Sequence, residues 1–121
     1  MKIFINHTNH NSSDWSAEQK AQAAGYGYIY DLNFPDIPAD ADENYIKEKA
    51  ENTFNVIKLI KPEAVLCQGE YTYVFALVNL LKSEKIKVLA ACSNRVVKET
   101  VTEEGETQKI SEFKFVRFRE Y

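Results

Sequence analysis

Three short, almost wholly apolar runs each stop abruptly at polar residues. They are Ile3-Phe4-Ile5, Ala64-Val65-Leu66-Cys67 and Val88-Leu89-Ala90-Ala91-Cys92, followed respectively by Asn6-His7-Thr8, Gln68-Gly69-Glu70-Tyr71-Thr72 and Ser93-Asn94-Arg95. A strand with one wet face alternates apolar and polar residues. An unbroken apolar run fits a strand covered on both faces, the condition of a parallel sheet between helices.

The intervening segments carry the matching helix signals. Lys2 to Asn6 reads as the first strand. Ser16-Ala17-Glu18-Gln19 has the form of a capping box, with Gly25 as the stop of that helix. Tyr28 to Leu32 reads as a second strand, broken off by Pro35 and Pro38. From Asp42 to Lys61, residues Ile46, Ala50, Phe54, Ile57 and Ile60 recur at three- and four-residue steps, with acidic residues at the start, lysines near the end and Pro62 beyond. Thr72 to Ser83 predicts a third helix, with Tyr73, Ala76, Leu77, Leu80 and Leu81 inward. Val96 to Thr102 and Gln108 to Arg119 flank Glu103-Glu104-Gly105-Glu106 as a hairpin.

The expected fold is therefore α/β, a Rossmann-like, mostly parallel sheet with helices on both faces and a C-terminal antiparallel hairpin. At 121 residues the chain suits one domain, 1–121, with one core. A ferredoxin-like α+β domain is the alternative, and fits less well because Val65–Cys67 and Val88–Cys92 do not alternate.

Composition narrows the partners. A net charge of −3 argues against a protein that coats duplex nucleic acid, yet leaves room for a small anionic ligand held by local donors. The N-terminus lacks a long apolar run and no stretch reaches membrane-spanning length, so no membrane partner and a cytoplasmic location are expected. The glycosylation pattern Asn11-Ser12-Ser13 then carries no meaning. Cys67 and Cys92 lie in apolar runs and read as reduced core residues rather than a bridge or metal pair. No GxxxxGK[ST], GxGxxG, GxSxG or CxxC motif occurs.

Open α/β sheets bind ligands beyond the carboxyl ends of their strands, where strand order reverses. That rule selects the three polar segments. Gly69 lets the backbone turn tightly, and the helix after it offers N–H groups to an anion. Thr72 either caps that helix or touches the ligand, and Glu70 is stabilised there by the helix dipole whether or not it is catalytic. Arg95, read as lying past a strand end after Ser93 and Asn94, suits bidentate phosphate binding, against a surface salt bridge. Trp15 either stacks on a base or packs onto the next helix. His7 and His10 are candidates for general acid–base work or for structural hydrogen bonds, with no further ligands at zinc spacing. Phe113, Phe115, Phe118 and Tyr121, interleaved with Lys114, Arg117 and Arg119, fit a closing strand in a core or dimer contact better than nucleic-acid stacking.

The Asn6-His7 loop with Ser12-Ser13-Asp14-Trp15-Ser16, the Gln68-Gly69-Glu70-Tyr71-Thr72 turn, Ser93-Asn94-Arg95-Val96-Val97 and the ending Phe113 to Tyr121 resemble small stand-alone CRISPR-associated proteins with a minimal CARF-like (CRISPR-associated Rossmann fold) domain. Several of these are ring nucleases that cleave cyclic oligoadenylate messengers. The resemblance implies a homodimer with the ring across its twofold axis, and attack of a ribose 2′-OH that leaves a 2′,3′-cyclic phosphate, without a cofactor. It implies charge stabilisation by Arg95 and the Gly69 backbone, a base such as His7 or Glu70, and ligand contacts from Asn6, Ser12, Ser13, Trp15, Gln68, Gly69, Tyr71, Thr72, Ser93 and Asn94. A metal-assisted variant would use Glu70 with His7 or Asp31. A non-catalytic sensor or sink, and a structural partner protein using the aromatic last strand, are the alternatives.

Overall fold

The computed structural model describes residues 1–121. Its elements run β1 (Ile3–His7), a 3-10 turn (Ser12–Asp14), α1 (Ala17–Ala24), β2 (Tyr28–Asp31), α2 (Glu43–Ile60), β3 (Ala64–Cys67), α3 (Tyr71–Ser83), β4 (Val88–Val101) and β5 (Thr107–Glu120). They build one five-stranded sheet in the order β2-β1-β3-β4-β5. The first four strands are parallel and β5 is antiparallel to β4. The chain steps from β1 outward to β2, then back across β1 to β3, so strand order reverses between β1 and β3. This is the Rossmann-like α/β architecture expected from the sequence.

The strand alternation divides the apolar runs between two cores. Ile5, Val65, Cys67 and Val88 face α2 and α3, against Ala50, Phe54, Ile57, Tyr73, Leu77 and Leu81. Phe4, Ala64, Leu66 and Leu89 face the other way, against Ala23 of α1 and Phe118 of β5. Covered on both faces, β3 has no polar position at all.

The helix boundaries have local causes. Ser16 Oγ accepts from the Gln19 N–H at 3.2 Å to open α1. Asp42 Oδ1 accepts from the Tyr45 N–H at 2.9 Å to open α2. Lys61 closes α2 in the left-handed conformation, φ 54°, just before Pro62. At α3 the expectation for Thr72 changes. Glu70 is the capping residue, and Thr72 supplies the carboxylate with a further donor.

Ser93-Asn94-Arg95 does not end β4. The strand runs on to Val101, and the expected separate segments Val88–Cys92 and Val96–Thr102 are one element. The antiparallel partner explains this, because β5 supplies a ladder along the whole length. A bulge at Cys92/Ser93, where Cys92 pairs with Arg117 and Ser93 with Phe115, absorbs the change of twist. Gly105, at φ 82°, makes the turn. Since β3 stops at Cys67, the outer part of the β4–β5 hairpin projects past the carboxyl edge of the sheet as a two-stranded arm.

Candidate functional site

An open cleft of about 530 Å³ lies at the carboxyl ends of β1 and β3, on the α1 side of the sheet. Its lining comes from the loop after β1 (Thr8, Asn9, His10), the entry to α1 (Asp14, Trp15, Ser16, Gln19), the turn after β3 (Gln68, Gly69) and the base of the hairpin (Ala91, Ser93, Phe113, Phe115), with Leu66 beneath. Three aromatic residues, Trp15, Phe113 and Phe115, therefore stand around a set of amides and hydroxyls, with His10 and one acidic residue, Asp14. No lysine or arginine lines it.

A polar network anchored on buried Asn6 holds the loop after β1 in shape. Asn6 is 2% exposed. Its Nδ2 donates to the His10 carbonyl at 2.8 Å and to Asp31 Oδ1 at 2.7 Å, and its Oδ1 accepts from Thr8 Oγ1 at 2.9 Å. Asp31, at the end of β2 and in register with Asn6, also accepts from the Ser12 N–H at 3.0 Å and from Ser12 Oγ at 2.7 Å. Burial works to raise the Asp31 carboxyl, but the hydrogen bonds from Asn6 and Ser12 outweigh it and hold the group below its usual range. The His10 backbone is thus pinned from beneath, with Thr8 Oγ1 accepting from its N–H at 3.2 Å, and His10 is an exposed residue at the cleft. From the sequence, Asp31 is only a possible metal ligand. Its organising role depends on the β1–β2 register, which local residues do not encode.

The floor is made by Gln68. Its Oε1 accepts from the Ala91 N–H at 3.0 Å and its Nε2 lies 3.4 Å from the Ala91 carbonyl, extending the β3–β4 ladder one step with a side chain. Trp15 packs edge-on against Phe4, ring centroids 6.2 Å apart, and also lines the cleft. Its ring contacts are with the sheet, Phe4 of β1 and Phe118 of β5, rather than with a residue of the following helix.

Three residues assigned to catalysis do not reach the cleft. His7 is 1% exposed and points to the α2–α3 face. Its Nδ1 is 3.0 Å from the Leu32 carbonyl and its Nε2 2.8 Å from the Tyr73 hydroxyl, which lies 2.8 Å from Thr53 Oγ1. Burial pulls its pKa down against the opposing pull of the Leu32 carbonyl, so the ring is neutral. The carbonyl can only accept, which puts the ring proton on Nδ1 and leaves Nε2 to accept from Tyr73. Tyr73, in turn, is pushed up to about 12, chiefly by burial.

Glu70 spends its carboxylate on α3, accepting from the Tyr73 N–H at 2.8 Å, the Thr72 N–H at 3.2 Å and the Thr72 hydroxyl. The Tyr73 N–H, with the Thr72 donors, lowers its pKa. The helix terminus expected to receive a phosphate is already occupied by this side chain. Arg95 sits within β4 on the exposed arm, with Nε and Nη2 donating to Ser111 Oγ at 3.2 and 3.0 Å.

Of the remaining expected contacts, Ser12 serves Asp31, and Ser13 donates its N–H to Asn11 Oδ1. Tyr71 is exposed on α3 away from the cleft, Thr72 serves Glu70, and Asn94 has the opposite strand parity to Ser93. Trp15, Gln68, Gly69 and Ser93 are brought together. No three His, Cys, Asp or Glu side chains gather as a metal-ligand set, so Glu70, His7 and Asp31 do not converge. Both cysteines are free, and burial pushes the Cys67 thiol up to about 12.

Fold and cleft together define a Rossmann-like α/β domain with a polar, aromatic-walled cleft at its strand-order reversal. The chain belongs to the family described as Uncharacterized protein MJ1673 family, whose model matches residues 2–119. No curated protein and no solved structure matches it. No helix is long and apolar enough to cross a membrane.

Proposed function

We propose that this chain is a CRISPR-associated ring nuclease of the cytoplasm that binds a cyclic oligoadenylate across a homodimer and opens it by 2′-OH attack. The observation that carries the reading is the cleft. It lies at the β1/β3 reversal, where sheets of strand order 2-1-3-4-5 take nucleotides. Trp15, Phe113 and Phe115 offer ring faces to adenine, and the surrounding amides and hydroxyls suit its edges. A ring with rotational symmetry matches a twofold pair of such clefts.

His10 takes the place in this reading that the resemblance implied for His7 or Glu70. Its imidazole accepts the proton of the ribose 2′-OH. The O2′–P bond forms, the P–O5′ bond breaks, and the leaving 5′-oxygen takes up a proton. The reaction is an isomerising ring opening that needs no external nucleophile. In-line positioning supplies much of the rate, and the base adds roughly 10²–10⁴-fold. Without a cleft lysine or arginine, phosphate oxygens meet the hydroxyls of Ser16 and Ser93.

Binding without cleavage is the second reading. It is favoured by the commitment of His7, Glu70 and Arg95 to partners within the chain. One experiment separates the two. The protein is incubated with cyclic tetra- and hexa-adenylate, with and without EDTA, and products are resolved by chromatography beside a titration of the sole tryptophan's fluorescence. EDTA-resistant products ending in a 2′,3′-cyclic phosphate support the nuclease. Quenching without products supports the sink, and neither response overturns both.

A further inference from the structure

The arm leaves one long backbone edge without a partner. Along β4, the N–H and C=O of even-numbered residues point to β5, as the Tyr121 N–H to Val88 carbonyl and the Thr102 N–H to Glu106 carbonyl bonds show at either end. Odd-numbered residues point the other way. Lys87 accepts from Val65 of β3, and Ala91 is satisfied by the Gln68 side chain. Beyond Gln68 nothing follows. Ser93, Arg95, Val97, Glu99 and Val101 direct their backbone groups at solvent from the edge β3 has left behind. Natural sheets protect such edges with proline, short strands, bulges, charged side chains or a covering element; this one has a bulge at its base and charges at Arg95, Lys98 and Glu99, but no proline and no cover. A two-stranded ribbon is also marginal in water by itself.

We propose that a second copy of this chain covers this edge, β4 pairing antiparallel with β4 about a twofold axis through Val97. The free segment runs from Ser93 to Val101, and Val97 is its midpoint. In that register Arg95 stands opposite Glu99 of the other copy, twice by symmetry, with Val97 against Val97 and Ser93 against Val101. Centring the pair on Arg95, Lys98 or Glu99 instead sets like charges face to face. The slip centred on Val96 brings no like charges together but forms no ion pair, so charge favours the Val97 register as the one that sets Arg95 opposite Glu99. The Arg95 guanidinium, bonded so far only to Ser111 Oγ, retains donors for the incoming carboxylate. Glu99 has one exposed partner, Lys109 Nζ at 4.0 Å. Because the two arms run in opposite directions, each tip is carried toward the end of the other copy's β3, beside Gln68 and the cleft.

This deepens the two-copy reading given above and rests on it for the role of the dimer, though not for the identity of the ligand. The test is solution mass by light scattering, without ligand, in a Cys92→Ser background. The wild-type arm gives a dimer. Arg95→Glu and Glu99→Arg each weaken it by roughly tenfold or more, since two opposite-charge pairs become like-charge pairs, and the double reversal restores it. Val97→Cys gives an intermolecular disulfide on mild oxidation. Thermal melts of the exposed-site variants confirm that each is folded. A wild-type monomer overturns the proposal. So does a dimer indifferent to both reversals, or a double reversal that fails to recover it. A dimer held elsewhere leaves the ring-ligand reading standing, whereas a dimer with this signature that binds no cyclic oligoadenylate removes that reading and keeps the edge.

Discussion

Gly69 and His7 meet at the ring of Phe34. A Cβ on Gly69 would collide with that ring, at a backbone φ of 157° that side chains rarely adopt. Phe34 in turn stacks near His7, centroids 5.1 Å apart, and against Tyr73 at 5.2 Å. Gly69→Ala should therefore cost about 1–3 kcal/mol in a denaturant titration, the range for overpacking. Phe34→Leu in the same chain should return part of it. His7 sets a pH dependence whose sign follows from its lowered pKa. The unfolded imidazole takes up a proton first as pH falls, so the full contribution is present above its unfolded value of about 6.5. It declines below that at up to about 1.4 kcal/mol per pH unit until the folded value is reached. Denaturant midpoints at successive pH values should drop through this window, and His7→Gln should flatten that part of the profile. A profile unchanged by the substitution would contradict a neutral buried ring.

At the scale of elements, Glu70 separates a structural from a catalytic carboxylate. As the α3 cap it should cost about 0.5–2 kcal/mol on Glu70→Ala in thermal or chemical melts, with ring opening per folded molecule unchanged. A large loss of rate with intact stability would restore the catalytic expectation. What was legible beforehand follows the same divide between local and distant causes. The α2 boundaries are written in Asp42, Lys61 and Pro62, and its buried face in Ala50, Phe54 and Ile57, all within one segment. The length of β4 was not legible, because only pairing with β5 carries it through Ser93-Asn94-Arg95. The place of the cleft followed from the strand ends, but only part of its lining did: Trp15, Gln68, Gly69 and Ser93 lie there, while His7, Glu70 and Arg95 do not. Strand parity would have excluded His7, since Ile5 faces α2 and α3 and a residue two further on shares that face. It would likewise have chosen Ser93 over Asn94, because Leu89 and Ala91 face α1. His10 is a candidate from the sequence beside His7, and the same parity chooses between them, whereas the organising role of Asp31 needed the folded loop itself.

For the molecule as a whole, the arm makes a forecast that a static mass cannot. Within one chain, backbone N–H groups of even-numbered β4 residues are tied to β5, while those of Arg95, Val97 and Glu99 point outward. In an isolated copy the odd set should exchange with deuterium at nearly the rate of free peptide. The even set should be only weakly protected, because a two-stranded ribbon opens readily. Pairing about Val97 supplies the odd set with acceptors and places each arm in a four-stranded sheet, so both sets should slow together. Residue-resolved exchange by NMR on the wild-type dimer and on the Arg95→Glu monomer reads this directly. The expected result is protection at Arg95, Val97 and Glu99 in the dimer, lost in the variant, with β1 and β3 amides unchanged in both. Protection that stayed alternating in the dimer would mean that the edge is bare there too, and that the copies meet through another surface.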